Sequence, residues 1–356
     1  MKICFLVPSA FDMRGDVRAV INLAAELAFR HEVEILSVRR TREKPFFPVP
    51  DRVGLRWLID HRPGKRSLLP RGGMRAEVEV WRALRALRCD ALVTTRPALA
   101  VQAARHAPKG VVRVAREWTR PAVPNPIRRH YPRLSAVVAS TERTREEWRR
   151  ALDEAVPVHH IPDALPVDPL PRSRLDNRIV SAGGRLVPVK GFDRLVRAFA
   201  IVADKRPDWR LRLYGGGSEE KRLRGLVAEL GLHNHVFFMG TTPDLPGEFA
   251  KASIVAIPSL AETPGMTVIE ALGCGVPVLG FEGRRGPEDF ITSGRDGVLV
   301  PEGEGEIEAY AAAMLALIDD ERRRRALAAG ALETAAGYAA SVVAARWERV
   351  LDDLCP

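Results

Sequence analysis

Short β-branched or apolar runs alternate with amphipathic helical patterns along almost the whole chain, and this alternation restricts the fold more tightly than any other feature. In the first half, strand patterns at 2–8, 33–38, 91–95, 111–115, 136–140 and 156–161 are interleaved with helical patterns at 16–29, 77–87, 98–105 and 141–152. Residues 160–176, HIPDALPVDPLPRSRLD, hold four prolines and no period, which predicts an inter-domain linker. The alternation restarts with strands at 178–182, 209–214, 236–239, 254–258 and 276–280 and helices at 193–205, 218–230, 244–251 and 267–274; the last fifty residues read as mainly helical. Strand–helix alternation of this kind predicts parallel sheets covered by helices on both faces. The fold expected is therefore α/β, with two doubly wound Rossmann-like domains at 1–165 and 166–340 facing across a cleft.

Composition narrows the function classes. A length of 356 residues suits about two domains, and 46% hydrophobic with 28% charged residues is a folded-protein balance. No run is apolar throughout for the roughly 20 residues of a membrane-spanning helix. The opening MKICFLVPSAF lacks a small-residue cleavage site and reads as a buried first strand. Cys4, Cys89, Cys274 and Cys355 form no CxxC pair, which predicts reduced thiols and a cytoplasmic location. The net charge of +10 is uneven: residues 1–171 hold 31 Lys/Arg against 19 Asp/Glu, and the remainder holds 24 against 26. An excess confined to one half suggests an anionic partner there. Part of it lies in 62–75, RPGKRSLLPRGGMR, where Lys65, Arg66 and Arg71 flank Leu68 and Leu69. That pattern fits either a solvated loop or peripheral contact with an anionic membrane. No nucleic-acid-binding module accompanies the charge.

Neither half carries GxGxxG after its first strand, and GxxxxGK[ST] is absent, which argues against hydride transfer and P-loop chemistry. No strand-end DxD or other metal motif is evident, so no metal site is expected. The most informative segment is 259–278, SLAETPGMTVIEALGCGVPV. Glu262 and Glu270 are separated by seven residues, with Gly265 between them and a helix starting near Thr267. A tight Pro264-Gly265-Met266 turn into a helix offers backbone N–H groups to sugar hydroxyls or phosphate. A carboxylate nearby can accept from two vicinal hydroxyls.

This segment resembles the E-x-F-G-x-x-x-x-E-A-x-x-x-G-x-P-V phrase of the retaining nucleotide-sugar glycosyltransferases of family 4, whose fold is GT-B. Here it reads Glu262, Gly265, Glu270, Ala271, Gly275, Pro277 and Val278, with Pro264 in place of the Phe. The stretches 183–200, 211–240 and 286–301 are similar to further family phrases, so the resemblance covers most of residues 180–302. It implies that Arg185 and Lys190 neutralise the donor diphosphate and the departing nucleotide, and that Glu262 contacts the donor sugar, making these three the expected catalytic residues. It also implies that Glu270 accepts from the ribose hydroxyls, that the base rests at Met239 and Gly240, and that Gly184, Gly215 and Gly216 turn toward the diphosphate. Pro264, Gly265, Met266 and Thr267 would meet sugar and phosphate, and Gly15 would do so from the first domain.

Two departures stand out. Arg14-Gly15 replaces a glycine pair, so Arg14 either reaches phosphate or points to water. Trp118 stands after Glu117 where relatives carry a His; His130 is the nearest alternative, though a packing or surface role fits it better. The resemblance thus implies a retaining, metal-independent hexosyltransferase with no cofactor, using a nucleotide diphosphate sugar, UDP-sugar favoured, as co-substrate. The acceptor would be a hydroxyl of a cell-envelope polymer, lipid-linked glycan or natural product. The final helix, about 341–356, would pack back on the first domain. The rival readings are a non-catalytic or hydrolytic nucleotide-sugar-binding protein and an epimerase on the same scaffold.

Overall fold

A computed structural model describes residues 1–63, 73–122, 125–262, 265–283 and 286–355; the side chains of 73–75 are not described. Most of the basic 62–75 segment, including Lys65, Arg66, Leu68, Leu69 and Arg71, lies outside the described residues, as does Pro264. The chain divides into two compact units, residues 1–167 with 339–356, and residues 168–338.

The first unit runs β1 (Lys2–Val7), α1 (Gly15–Leu27), β2 (Glu32–Arg40), β3 (Val53–Asp60), α2 (Gly73–Arg85), β4 (Ala91–Thr94), α3 (Pro97–His106), β5 (Val112–Glu117), α4 (Asn125–His130), a 3₁₀ turn at Tyr131–Arg133, β6 (Ala136–Ala139), α5 (Glu142–Ala151) and β7 (Val158–His160). Its sheet is ordered β3-β2-β1-β4-β5-β6-β7 with every pairing parallel. Central strands such as β4 and β6 are buried along their whole length, as expected when helices cover both faces. The edge strand β3 departs from that rule. Its Leu55, Arg56 and Trp57 remain partly or largely exposed, so it lacks the continuous apolar run that marks its neighbours, and it falls within what the sequence presents as irregular chain.

The second unit runs β8 (Ile179–Gly183), a 3₁₀ turn at Pro188–Lys190, α6 (Phe192–Lys205), β9 (Arg210–Tyr214), α7 (Glu220–Glu229), β10 (Val236–Gly240), α8 (Leu245–Phe249), β11 (Ile254–Ile257), α9 (Met266–Gly273), β12 (Val278–Glu282), β13 (Gly297–Pro301), α10 (Glu306–Asp319) and α11 (Glu321–Ala336). Its sheet, again all parallel, is ordered β10-β9-β8-β11-β12-β13. One core joins Val180, Leu211, Ile254 and Leu279 of the strands to Phe199 of α6 and Tyr310 of α10.

The proline-rich stretch is laid down rather than loose. Asn22 donates to the Ala164 carbonyl at 2.8 Å, and Ser173 donates through its hydroxyl to Ala252 at 2.6 Å, so its two ends are pinned within different units. The last helix, α12 (Ala340–Leu354), packs on α1 and buries Val343, Trp347 and Leu351. The stretch Glu321–Leu354 has the length and apolar composition to cross a membrane. Alanine supplies much of that hydropathy. The helix is interrupted at Gly337-Tyr338, and its two parts belong to different units.

Candidate functional site

In open parallel sheets the crevice for ligands lies at the carboxyl ends of the strands, where the strand order reverses. In the second unit that reversal falls between β8 and β11. The expected site residues follow β8, β9, β10 and β11, so topology alone carries them to one edge.

Backbone hydrogen bonds stitch the turns there together. Gly184 N–H donates to the Tyr214 carbonyl at 2.9 Å, Gly215 N–H to Gly240 at 2.7 Å, and Leu186 N–H to Gly216 at 3.0 Å. At Gly215 φ is +144°, and a Cβ would stand 1.8 Å from the Gly184 carbonyl oxygen, so no side chain fits. The neighbouring demand falls on Gly217, where a Cβ would meet the Leu186 oxygen at 2.2 Å; at Gly216 the space is ordinary. Gly217 was legible only as the third glycine of a run. Met239 is exposed at the end of β10 beside Gly240.

The charged residues divide into a buried pair and an exposed arginine. Lys190 ends the 3₁₀ turn after β8, and its Nζ is 2.6 Å from Glu262 Oε1. The same Oε1 accepts a short hydrogen bond from Ser259 Oγ. Leu260 N–H donates to the Val189 carbonyl at 2.9 Å, so the loops after β8 and β11 are also tied through backbone. Glu262 is buried and Lys190 nearly so, and each offsets the other's charge. Arg185, by contrast, is exposed and has no carboxylate partner among the described residues. The sequence treats Arg185 and Lys190 as equivalent; the structure separates them, with Arg185 the uncompensated cation. Ser259 was missed because one serine beside a strand end carries no signal of its own.

Gly265 caps α9 in the left-handed region at φ +73°, with the Phe290 ring where its Cβ would be, 2.2 Å from Cζ. This turn aims the first N–H groups of α9, at Met266 and Thr267, out of the helix, where nothing within the helix can accept from them. The Met266 side chain is buried, so it can offer only backbone, while Thr267 is half-exposed. Glu270, one turn further in, is buried.

In the first unit the strand-order reversal falls between β1 and β4, and another ion-pair cluster marks it. Gly15 is the first residue of α1. Arg14 is exposed, and its charge is already paired. Its guanidinium forks onto Asp16, with Nε–Oδ1 at 2.9 Å and Nη2–Oδ2 at 3.1 Å, and Arg96 from the end of β4 makes a further short contact to Asp16 Oδ2. Asp16 and Arg96 were not singled out from sequence, because neither belongs to a recognisable phrase.

Trp118 is buried and donates from Nε1 to Asp163 Oδ2 at 2.8 Å, while Arg116 holds Oδ1 at 2.6 Å. Burial pushes the Asp163 carboxyl up against the lowering effect of these donors. Glu117 faces the other way, where its Oε1 accepts from Tyr131 OH at 2.6 Å, and burial raises its pKa to about 8. His130 lies at the far end of α4 among arginines, away from the strand carboxyl ends. Among the described residues no group of three His, Cys, Asp or Glu side chains comes together as a metal site would require.

Two Rossmann-like units of this strand order define the GT-B fold. Residues 171–334 match the family described as glycosyl transferases group 1. An exopolysaccharide phosphotransferase of Streptomyces coelicolor is 35% identical over 99% of this chain and 41% of its own length. A GDP-mannose-dependent alpha-(1-6)-phosphatidylinositol monomannoside mannosyltransferase of Mycolicibacterium smegmatis is 31% identical over 52% of this chain and 53% of its own length. The chain thus spans about half or less of the length of these relatives. Among solved structures, sucrose-phosphate synthase of Thermosynechococcus elongatus superposes with a TM-score of 0.81 at 19% identity over 99% of both chains. The Anabaena protein HepE in complex with UDP gives 0.76 at 20% identity over 99% of this chain and 100% of its own. The fold is therefore GT-B, and the match to the group 1 glycosyl transferases falls within the second unit.

Proposed function

We propose that this chain transfers a hexose-type sugar, with retention of configuration, from a UDP-sugar to a hydroxyl of an envelope polysaccharide or related glycan. The observation that carries the reading is the convergence, at the strand-order reversal of the second sheet, of stitched glycine turns, a buried Lys190–Glu262 pair, the exposed Arg185 and the α9 N-terminus. Backbone N–H groups and a cation at one edge suit a diphosphate. Glu270 would accept from the ribose hydroxyls and Glu262 from the transferred sugar, with Met239 and Gly240 beside the base. Arg185 and Lys190 would offset the negative charge that grows on the departing diphosphate, a role that needs no divalent ion. Attack from the face the nucleotide leaves, with the diphosphate taking the acceptor proton, fits a site without a nucleophile–base pair. The UDP bound in the HepE structure supports the choice of base, and the exopolysaccharide named for the Streptomyces relative supports a polysaccharide acceptor.

That same name favours a second reading, transfer of a sugar phosphate or phosphate. The two readings differ in what a UDP-sugar leaves behind: sugar transfer releases UDP, and sugar-phosphate transfer releases UMP. Incubation with UDP-glucose and a polysaccharide acceptor, followed by nucleotide chromatography and NMR of the product anomeric centre, tests both. UDP with an α-linked product is expected. UMP, or a β-linked product from the α-donor, would overturn the first reading.

A further inference from the structure

At the opposite end of the first sheet lies a group of cations that the proposed reaction does not use. α3 ends in Arg105 and His106, α4 ends in Arg129 and His130, Arg133 closes the following 3₁₀ turn, and Arg113 is the second residue of β5. These elements pack on one another, and Arg113 and Ser135 are joined through backbone and hydroxyl at 2.8 and 3.1 Å. Basic residues at helix C-termini are favourable singly, because they meet the negative end of the helix dipole. Convergence is a different matter. Arg105, Arg129, Arg133 and His106 all act on His130 as like charges, and Arg133 does the same to Arg113.

The group gathers several cations without counter-charge. Many arginines elsewhere are paired, as in Arg56–Glu34, Arg149–Glu146, Arg206–Asp319 and Arg194–Glu302. Among the described residues, no carboxylate stands with Arg105, Arg113, Arg129 or Arg133. Arg113 Nε and His130 Nδ1 lack any hydrogen-bond partner, so no group of the chain satisfies these two atoms within the basic setting. Among the described residues, none of the large exposed apolar side chains falls between residues 97 and 135, which favours a soluble polyanion over a lipid surface.

We propose that this cluster binds the phosphate groups of a soluble polyanion. Arg113 and His130 form its recessed floor, and Arg105, Arg129 and Arg133 form its exposed rim. Arginine suits the task because its planar fork engages two phosphate oxygens at once. The site belongs to the first unit and the nucleotide edge to the second, so the proposal does not rest on the reading of the reaction.

The test follows the His130 ring resonances in the full chain, labelled at histidine. Inorganic phosphate, long-chain polyphosphate, and phosphatidylcholine vesicles with and without phosphatidylglycerol are titrated separately. Phosphate and polyphosphate are expected to move the His130 signals and to raise its protonated fraction, with polyphosphate binding tighter. Arg113→Gln with Arg133→Gln should weaken binding about tenfold or more. Arg105→Gln with Arg129→Gln, confined to exposed positions, should weaken it in the same direction even where loss of the half-buried Arg113 disturbs folding. Both should leave UDP binding unchanged. Unmoved signals, equal binding by the exposed-pair variant, or a response to anionic vesicles alone would each overturn the proposal.

Discussion

Lys190 Nζ lies 2.6 Å from Glu262 Oε1, so a cation from the loop after β8 meets an anion from the loop after β11 where the second sheet reverses its strand order. Arg96 and Asp16 make the corresponding contact in the first sheet, between the loop after β4 and the first turn of α1. Each pair ties two segments beyond the end of their strand pairing.

Removing one partner of a buried pair leaves the other charge uncompensated, which costs more than the pair contributes. Glu262→Gln and Lys190→Met should each destabilise the second unit by about 1–3 kcal/mol, and the double variant by clearly less than their sum. Urea unfolding of the four proteins in one cycle measures the coupling; strictly additive losses would mean that the pair does not act as a unit. Both single variants should also lose turnover.

Arg185 separates catalysis from stability. Because it is exposed and unpaired among the described residues, Arg185→Ala should change unfolding free energy by no more than about 0.5 kcal/mol. Its turnover should fall by more than the donor KM rises, as expected for charge that develops in the transition state. A rise in KM at unchanged kcat would assign Arg185 to donor binding alone.

Gly265→Ala meets two obstacles, a left-handed backbone and the Phe290 ring. A loss of about 1–3 kcal/mol is expected, with weakened binding of UDP because the first turn of α9 is re-aimed. Gly265→Ala combined with Phe290→Leu should recover part of the packing loss and none of the backbone strain. Thermal unfolding and calorimetric UDP titration separate the two. Full recovery in the double variant would show that backbone conformation is not limiting.

Glu117 gives the first unit a definite pH dependence. Its pKa is raised to about 8 in the folded protein, so between the unfolded value and about 8 the native state holds more protons than the unfolded one. Its contribution to stability is complete below the unfolded pKa and is lost as pH rises, by up to about 1.4 kcal/mol per unit. Glu117→Gln keeps an acceptor for Tyr131 and removes the titration. The stability of the parent relative to Glu117→Gln should therefore fall from about pH 5 to about pH 8. Asp163 shifts the same way and is common to both proteins, so the difference isolates Glu117. A flat difference would show that Glu117 is not held neutral.

Strand–helix alternation announced the α/β class and most elements, because strands such as β4, β6 and β11 are buried on both faces and read as unbroken apolar runs. β3 and β13 escaped notice for the opposite reason: each is an edge strand with polar or half-exposed positions along one side. At the site, Gly265, Glu262 and Glu270 were visible because one spaced phrase contains all three. The partner that fixes Glu262 was visible only as a second, separate residue. Ion pairs between segments 72 residues apart, as for Lys190 and Glu262, or 80 apart, as for Arg96 and Asp16, leave no local pattern, since only the sheet brings their ends together.

The return of α12 to the first unit makes that unit discontinuous in synthesis order. Residues 1–167 leave the ribosome with the α1 surface that later receives Val343, Trp347 and Leu351 still uncovered. Another 171 residues, the whole second unit, must be made before α12 follows. At typical elongation rates the wait is on the order of ten to thirty seconds, ample for the second unit to fold first although it is encoded later. A nascent or truncated 1–167 fragment is therefore a natural client for chaperones, and a separately supplied 339–356 peptide is the minimal ligand to complete it.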